Sequence, residues 1–409
     1  MKNCIVAQSG GPTVAINASL AGIISEAHES REFNTVYGSV NGILGILNEN
    51  LINLTNIIKD NPENIQTLKS SPAMYLGSCR YKLPAYTEDN SIYETIFQAF
   101  EKLNIGAFFY IGGNDSMDTV EKLSQYAKVI KSDVKILGIP KTIDNDLCET
   151  DHTPGFGSAA KYVATSVLEI AHDAYIYNTK SVTIVEIMGR NAGWLTAAGA
   201  LARNQYSSAP HLIYLPEVPF CPETFISDVK EKFEETSNVI VAVSEGIKDK
   251  EGNYLSAAES KDIFGHDKLS GTGKYLEYLV QEKLNVKVRS IELNVLQRCS
   301  SHLASLTDIN EAFSLGSHAV QFALQGFSGV MLVMKREEGE NYTITYTTAD
   351  VSEIANKEKC VPKEWITENG NNVTEEMIQY LKPLIVGEPE VKFLNGLPQY
   401  MNVDHLIFD

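Results

Sequence analysis

GIPKTIDNDLCETD, residues 138–151, is the stretch from which the rest of the chain is read. An apolar run at 134–139 stops at Pro140, and Lys141, Thr142, Asp144, Asn145 and Asp146 follow before Cys148. A run of that kind reads as a buried parallel strand emptying into a polar loop. In an open α/β sheet, ligands bind in the crevice at the carboxyl ends of strands. The loop therefore brings a base, a cation and oxygens suited to a hard metal to one spot. Aspartate and asparagine also build ordinary turns by hydrogen-bonding their own backbone, so this loop alone leaves both readings open.

Outward from it the same arrangement recurs. A β-type run at 3–8 turns through Ser9-Gly10-Gly11-Pro12 into a small-residue helix over 14–27. GAFFYI at 106–111 passes through Gly112-Gly113-Asn114-Asp115-Ser116 into a helix over about 117–129. SVTIVEI at 181–187 passes through Met188-Gly189-Arg190-Asn191 into a helix over 192–202. Strand, glycine turn and helix amino terminus together offer backbone N–H groups to a phosphate. Each unit also has a plain reading: tight turns, with Asn114 or Asp115 as a helix cap.

Strands are also expected at 35–39, 211–215, 239–243, 286–296 and 329–334. The strand at 239–243 runs into Ser244-Glu245-Gly246, where a carboxylate can accept bonds from sugar hydroxyls. Arg80 follows a glycine and serine loop and is either a phosphate ligand or a solvated surface arginine. The polar stretch 248–273 reads as a surface insertion, and the acidic residues after Lys335 as an appended, partly helical extension.

The 409 residues suffice for a large core and suggest two or three domains or one extended α/β assembly. No apolar run approaches the roughly 20 residues of a membrane span, and the amino terminus is too briefly apolar for a secretory signal. A cytoplasmic protein with no membrane partner is expected. The six cysteines and eight histidines show no metal-ligand spacing, so reduced thiols and no zinc are expected. A net charge of -18 argues against nucleic acid and anionic membranes, so cations for any anionic substrate must be clustered locally.

Taken together, GGND at 112–115, PKTIDND at 140–146, MGR at 188–190, SEG at 244–246 and QR at 297–298 resemble the 6-phosphofructokinases in order and spacing, from the amino terminus to about residue 335. The resemblance implies an α/β fold of two doubly wound, Rossmann-like lobes with a C-terminal extension. The expected divisions are a phosphoryl-donor lobe at 1–155, a sugar-phosphate lobe at 156–296, a shared return segment at 297–340 and the extension at 341–409. It implies Asp144 as general base on the 1-hydroxyl of fructose 6-phosphate, with Lys141 and Arg190 beside it as catalytic cations. Mg²⁺ would be held by Asp146 and Asn114. Gly11, Arg80 and Ser116 would touch the donor phosphates, while Thr142, Met188, Gly189 and Glu245 would hold the sugar or the transferring group. Arg289 and Arg298 would grip the 6-phosphate, Arg289 from a neighbouring subunit, which calls for a homodimer or a larger homo-oligomer.

Two positions bear on the donor. ATP-using relatives carry glycine where this chain has Asp115 and Lys141, and the pair resembles the pyrophosphate-dependent branch. Asp115 would fill and make negative the space of the α-phosphate of ATP, and Lys141 would offset charge on the leaving phosphate of pyrophosphate. The alternatives are an ATP-dependent enzyme of the same family and a non-catalytic sugar-phosphate sensor on the same fold. A lipid or NAD kinase lacks support from PKTIDND and MGR. The family's arginine before the VEIMGR strand is here Ser181, and Lys180 beside it would take its place.

Overall fold

The computed structural model describes residues 1–255, 271–339 and 341–407, and the strand backbone at 257–261 and 267–269. Part of the surface insertion expected at 248–273, namely residues 256, 262–266 and 270, lies outside the described residues.

Thirteen strands carry the architecture: β1 (Lys2–Gln8), β2 (Phe33–Ser39), β3 (Leu51–Asn53), β4 (Ile105–Gly112), β5 (Lys135–Pro140), β6 (Ser181–Ile187), β7 (Leu212–Tyr214), β8 (Asn238–Ser244), β9 (Ala257–Lys261), β10 (Asp267–Leu269), β11 (Lys287–Glu292), β12 (Val330–Arg336) and β13 (Ile344–Asp350). The first sheet has the order β13-β12-β5-β4-β1-β2-β3, and the second β11-β6-β8-β7. The second sheet is parallel throughout. The first is parallel except at its edges, where β13 and β3 run antiparallel to their neighbours. β9 and β10 form a separate antiparallel ribbon.

Side chains alternate across a strand, and the first sheet divides its core accordingly. Val6, Phe109, Leu137 and Leu332 pack with helices Ile16–Ser30 and Leu306–Leu324 on one face. Ile5, Phe108, Ile136 and Val333 pack with helices Ser91–Lys102 and Asn114–Val129 on the other. β4 is buried at every residue, as a strand covered on both faces must be.

The second sheet has one face under helix Phe156–Tyr175 and the other against helices Pro222–Lys232 and Thr272–Leu284. Asp308 joins the lobes: its carboxylate accepts from the N–H of Gly155 at 2.8 Å and of Ser158 at 3.0 Å, satisfying the amino terminus of helix Phe156–Tyr175.

Part of the segment 341–407 is built into this body. β13 completes the first sheet, while Met377, Tyr380 and Leu381 enter the core of the second lobe beside Trp194. The strand expected at 286–296 ends at Glu292, because Asn294 takes φ +43° and opens the short turn Asn294–Arg298. No helix among the described residues is long and apolar enough to cross a membrane.

Candidate active site

Five polar segments leave the carboxyl ends of β1, β4, β5, β6 and β8, holding the first glycine turn and the GGND, PKTIDND, MGR and SEG motifs, while Gln297-Arg298 follows β11. The loop after β5 is central. Lys141 is only 2% exposed, and its ammonium donates to the Gly11 carbonyl at 2.6 Å. A Cβ placed on Gly11 would lie 3.3 Å from the Arg298 Nη1, so the turn after β1, Lys141 and Arg298 converge on one place. Burial pulls the Lys141 ammonium down to about 8, against the opposing pull of Asp144 and Asp146 and with the help of Arg298.

Asp144 and Asp146 flank Asn145, whose φ of +54° lies in the left-handed region that asparagine tolerates better than most residues. Its buried amide donates to the Tyr380 hydroxyl at 2.9 Å. The Thr142 hydroxyl accepts from the Asp144 N–H at 3.1 Å and lies 3.4 Å from its carboxylate, fixing the start of the turn. Removal from water raises Asp144 above the usual carboxylate range, opposed by Lys141, the Thr142 hydroxyl, Arg190 and Arg298. Asp146 is pushed up to about 7 by the same desolvation and by the charge of Asp144.

The second lobe faces this pair. The Gly189 N–H donates to Glu245 at 3.3 Å, and the Ser244 hydroxyl donates to the Gly189 carbonyl at 2.5 Å. Gly246 must be glycine, because a Cβ there would stand 1.9 Å from the Arg190 carbonyl oxygen. Glu245 is raised to about 7 by desolvation, opposed by the Gly189 N–H; the Asp144 charge adds to the rise, which shows that the two lobes meet here. The Met188 N–H donates to the Gln297 side chain at 3.2 Å, tying the turn after β6 to the segment that carries Arg298. The Nε groups of Arg190 and Arg298 are buried without a hydrogen-bond partner. Two such guanidinium groups beside a buried ammonium make an anion site, since each leaves donors that a phosphate would satisfy.

The structure therefore brings together Gly11, Lys141, Thr142, Asp144, Asp146, Met188, Gly189, Arg190, Glu245 and Arg298. Ser116 lies buried behind Gly112 at the start of its helix. Arg80 is exposed beside the first glycine turn, where Ser78 donates to the Gly10 carbonyl at 2.8 Å. Asp115 is exposed in the first turn of helix Asn114–Val129 and makes no cap, that position being Gly113.

Asn114 departs from the metal role expected of it. Its amide oxygen accepts from the Asn356 N–H at 2.6 Å and its amide nitrogen donates to the Lys357 carbonyl at 2.7 Å, so the side chain is turned to the extension rather than to Asp146. Arg289 is not in the cluster either. It pairs with Thr183, four residues short of the end of β6, or about 13 Å at the rise of a strand. Its guanidinium lies on an edge strand against Asp173 at 3.2 Å. Lys180 precedes β6, at the far end from the site, with its ammonium 5.0 Å from the centre of the Phe233 ring.

Residues outside the motifs complete the site. Lys359 and Tyr380 contact the loop after β5. Glu217 accepts from the N–H groups of Gly193 and Val361 at 2.9 Å each.

Residues 3–323 match the family model described as phosphofructokinase. The chain belongs to the phosphofructokinase family. It is 40% identical over 405 residues, 98% of this chain and 96% of the relative, to the pyrophosphate--fructose 6-phosphate 1-phosphotransferase of Methylococcus capsulatus. The crystal structure of the pyrophosphate-dependent phosphofructokinase of Nitrosospira multiformis superposes with a TM-score of 0.88 at 37% identity, covering 98% of this chain and 96% of that one. The sulfofructose kinase of Alkalicoccus urumqiensis is 32% identical over 89% of this chain and 91% of its own. The two lobes, their motifs and the Asp115–Lys141 pair thus sit in a chain whose full length is covered by relatives named for pyrophosphate.

Proposed function

We propose that this enzyme transfers a phosphoryl group from pyrophosphate to the 1-hydroxyl of fructose 6-phosphate, giving fructose 1,6-bisphosphate and orthophosphate. The observation that carries the donor is the buried Lys141 ammonium on the Gly11 carbonyl, with Asp115 exposed at the adjoining helix start.

Phosphoryl transfer passes through a loose transition state, so catalysis is chiefly in-line positioning and neutralisation of spread charge. Lys141, Arg190 and Arg298 supply that charge from a body that is otherwise acidic. Asp144 accepts the proton of the attacking 1-hydroxyl. Its pKa, raised by desolvation, makes it a better base than a solvated aspartate. Thr142 fixes the turn that presents it. Glu245 and the backbone at Met188–Gly189 take the sugar hydroxyls, and Arg298 the 6-phosphate.

Asp146 beside Asp144 suits Mg²⁺. The charge of Asp144 raises the pKa of Asp146, so the pair gains from a divalent cation, and Mg²⁺ asks for only one or two protein carboxylates beside phosphate oxygens. When bound, the metal would neutralise charge on the phosphates.

The first lobe, 1–155, is the donor half in this reading and 156–296 the sugar half, with 297–340 shared and 341–409 bracing both. Arg289, on an outer strand and outside its own chain's cluster, would reach the 6-phosphate bound by a second copy, so the working form is at least a dimer. A cytoplasmic location belongs to the same reading, supported by six free thiols. The donor bond and the product ester are comparable in energy, so the reaction would run in both directions and serve glycolysis and gluconeogenesis. Turnover of fructose 6-phosphate with pyrophosphate in place of ATP tests the proposal.

A further inference from the structure

The segment 356–361 crosses from one lobe to the other directly over the loop after β5. At its start, the backbone of residues 356 and 357 is held by the Asn114 amide. At its end, the Val361 N–H is held by Glu217 in the second lobe. Lys359, between them, is bonded both to the acidic loop and to Trp194, the first residue of the helix that follows β6. Its N–H donates to the Asp146 carbonyl at 2.7 Å. Its ammonium lies 3.4 Å from the Asn145 amide oxygen and donates to the carbonyls of Thr150 at 3.0 Å and Asp151 at 2.8 Å. Its own carbonyl accepts from the Trp194 indole at 2.9 Å, and its ammonium stands 5.4 Å over that ring.

The loop needs such a hold. Two carboxylates one residue apart repel when both are ionised, and the residue between them sits at positive φ. A sparsely populated backbone conformation persists only when its surroundings over-determine it. Lys359 and Tyr380 supply those surroundings from the extension, bonding the two ends of the Asn145 amide.

We infer that Lys359 is a positioning residue for phosphoryl transfer, fixing Asp144 and Asp146 against the second lobe by acting through Asn145 and the loop backbone. This rests on the function proposed above. Because Lys359 bonds the backbone under the acidic pair and not the sugar cluster, its loss is expected in turnover rather than in substrate affinity. Misplacing a catalytic group by about 1 Å can cost 10²-fold.

The test is steady-state kinetics of the full chain with Lys359→Met, Asn145→Ala and both together, beside their thermal unfolding. Parent rates are taken first with pyrophosphate and with ATP, and the variants are read with whichever donor the parent turns over. A parent active only with ATP overturns the donor reading and leaves the Lys359 test intact. The expected result is a fall in kcat of about 10- to 100-fold in Lys359→Met, with both KM values within about threefold. The double variant should fall little below the worse single one, since both changes release the same loop. Should Lys359→Met not fold, Lys359→Gln, which keeps two donors, is read in its place. A kcat within threefold of the parent overturns the inference, as does a double variant whose losses multiply in full.

Discussion

The Lys141 ammonium donates to the Gly11 carbonyl across 2.6 Å, so a buried cation joins the loop after β5 to the turn after β1. The Gly10-Gly11 turn lies against both Lys141 and Arg298, since a Cβ on Gly10 would stand 3.1 Å from the Lys141 ammonium and one on Gly11 would stand 3.3 Å from the Arg298 guanidinium. Burial disfavours a charge there, and the nearby aspartates offset only part of that cost.

In the proposed function, the donor preference rests on this cation and on Asp115 together. Two unit charges at ~4 Å repel by about 4 kcal/mol at an effective dielectric of 20, and by about 1 kcal/mol in water. Asp115 is exposed, which places its effect on an ATP α-phosphate toward the lower figure. Asp115→Gly alone should therefore improve kcat/KM for ATP by roughly tenfold or less. Asp115→Gly with Lys141→Gly should improve it further and depress the rate with pyrophosphate. Initial rates of both variants with both donors measure this, and unchanged ATP use in the double variant would remove the charge argument.

Asp144 carries the proton transfer in this account. Asp144→Asn keeps the shape and the turn held by Thr142 but cannot accept the proton of the 1-hydroxyl. A fall in kcat of about 10²- to 10⁴-fold is expected, with the KM for fructose 6-phosphate within a few-fold. A kcat near that of the parent would assign the base elsewhere.

His152 makes the fold lose stability as the pH rises. Its ring nitrogens lie 2.8 Å from Asp151 and 2.7 Å from Glu311, so the doubly protonated imidazolium satisfies both carboxylates. Burial alone would lower its pKa, but the two hydrogen bonds and charges win and raise it to about 9. The folded value lies above the unfolded one, near 6.5, so the folded state holds the extra proton between them. Its contribution, on the order of 3 kcal/mol, is full below about pH 6.5 and is lost as the pH rises through 9. Chemical denaturation at pH 6, 8 and 10 should show this decline, and His152→Gln should be less stable at pH 6 with a flatter profile. Equal slopes in parent and variant would contradict it.

The strands that position the site were legible because burial on both faces writes them as continuous apolar runs. GAFFYI and SVTIVEI are β4 and β6 almost to the residue. β13 was not, since an edge strand that is only partly covered, ITYTTAD, carries no such run. The motif residues were found from their glycine turns and their resemblance to a family. Asn114 misled because its partners lie more than 240 residues away in sequence, at 356 and 357, where nothing local announces them. Lys359 and Tyr380 were hidden for the same reason: an acidic, polar composition gave no sign that the extension enters the core beneath the catalytic loop. The Arg289 position reflects chain geometry, since it lies partway along an edge strand and not at a strand's carboxyl end.

The most direct test is the initial rate of fructose 1,6-bisphosphate formation from fructose 6-phosphate and Mg²⁺, with pyrophosphate and ATP in parallel. A high rate is expected with pyrophosphate, a negligible one with ATP, and a reverse reaction that consumes orthophosphate. A high rate with ATP alone would contradict the donor assignment, and no rate with either would contradict the catalytic reading.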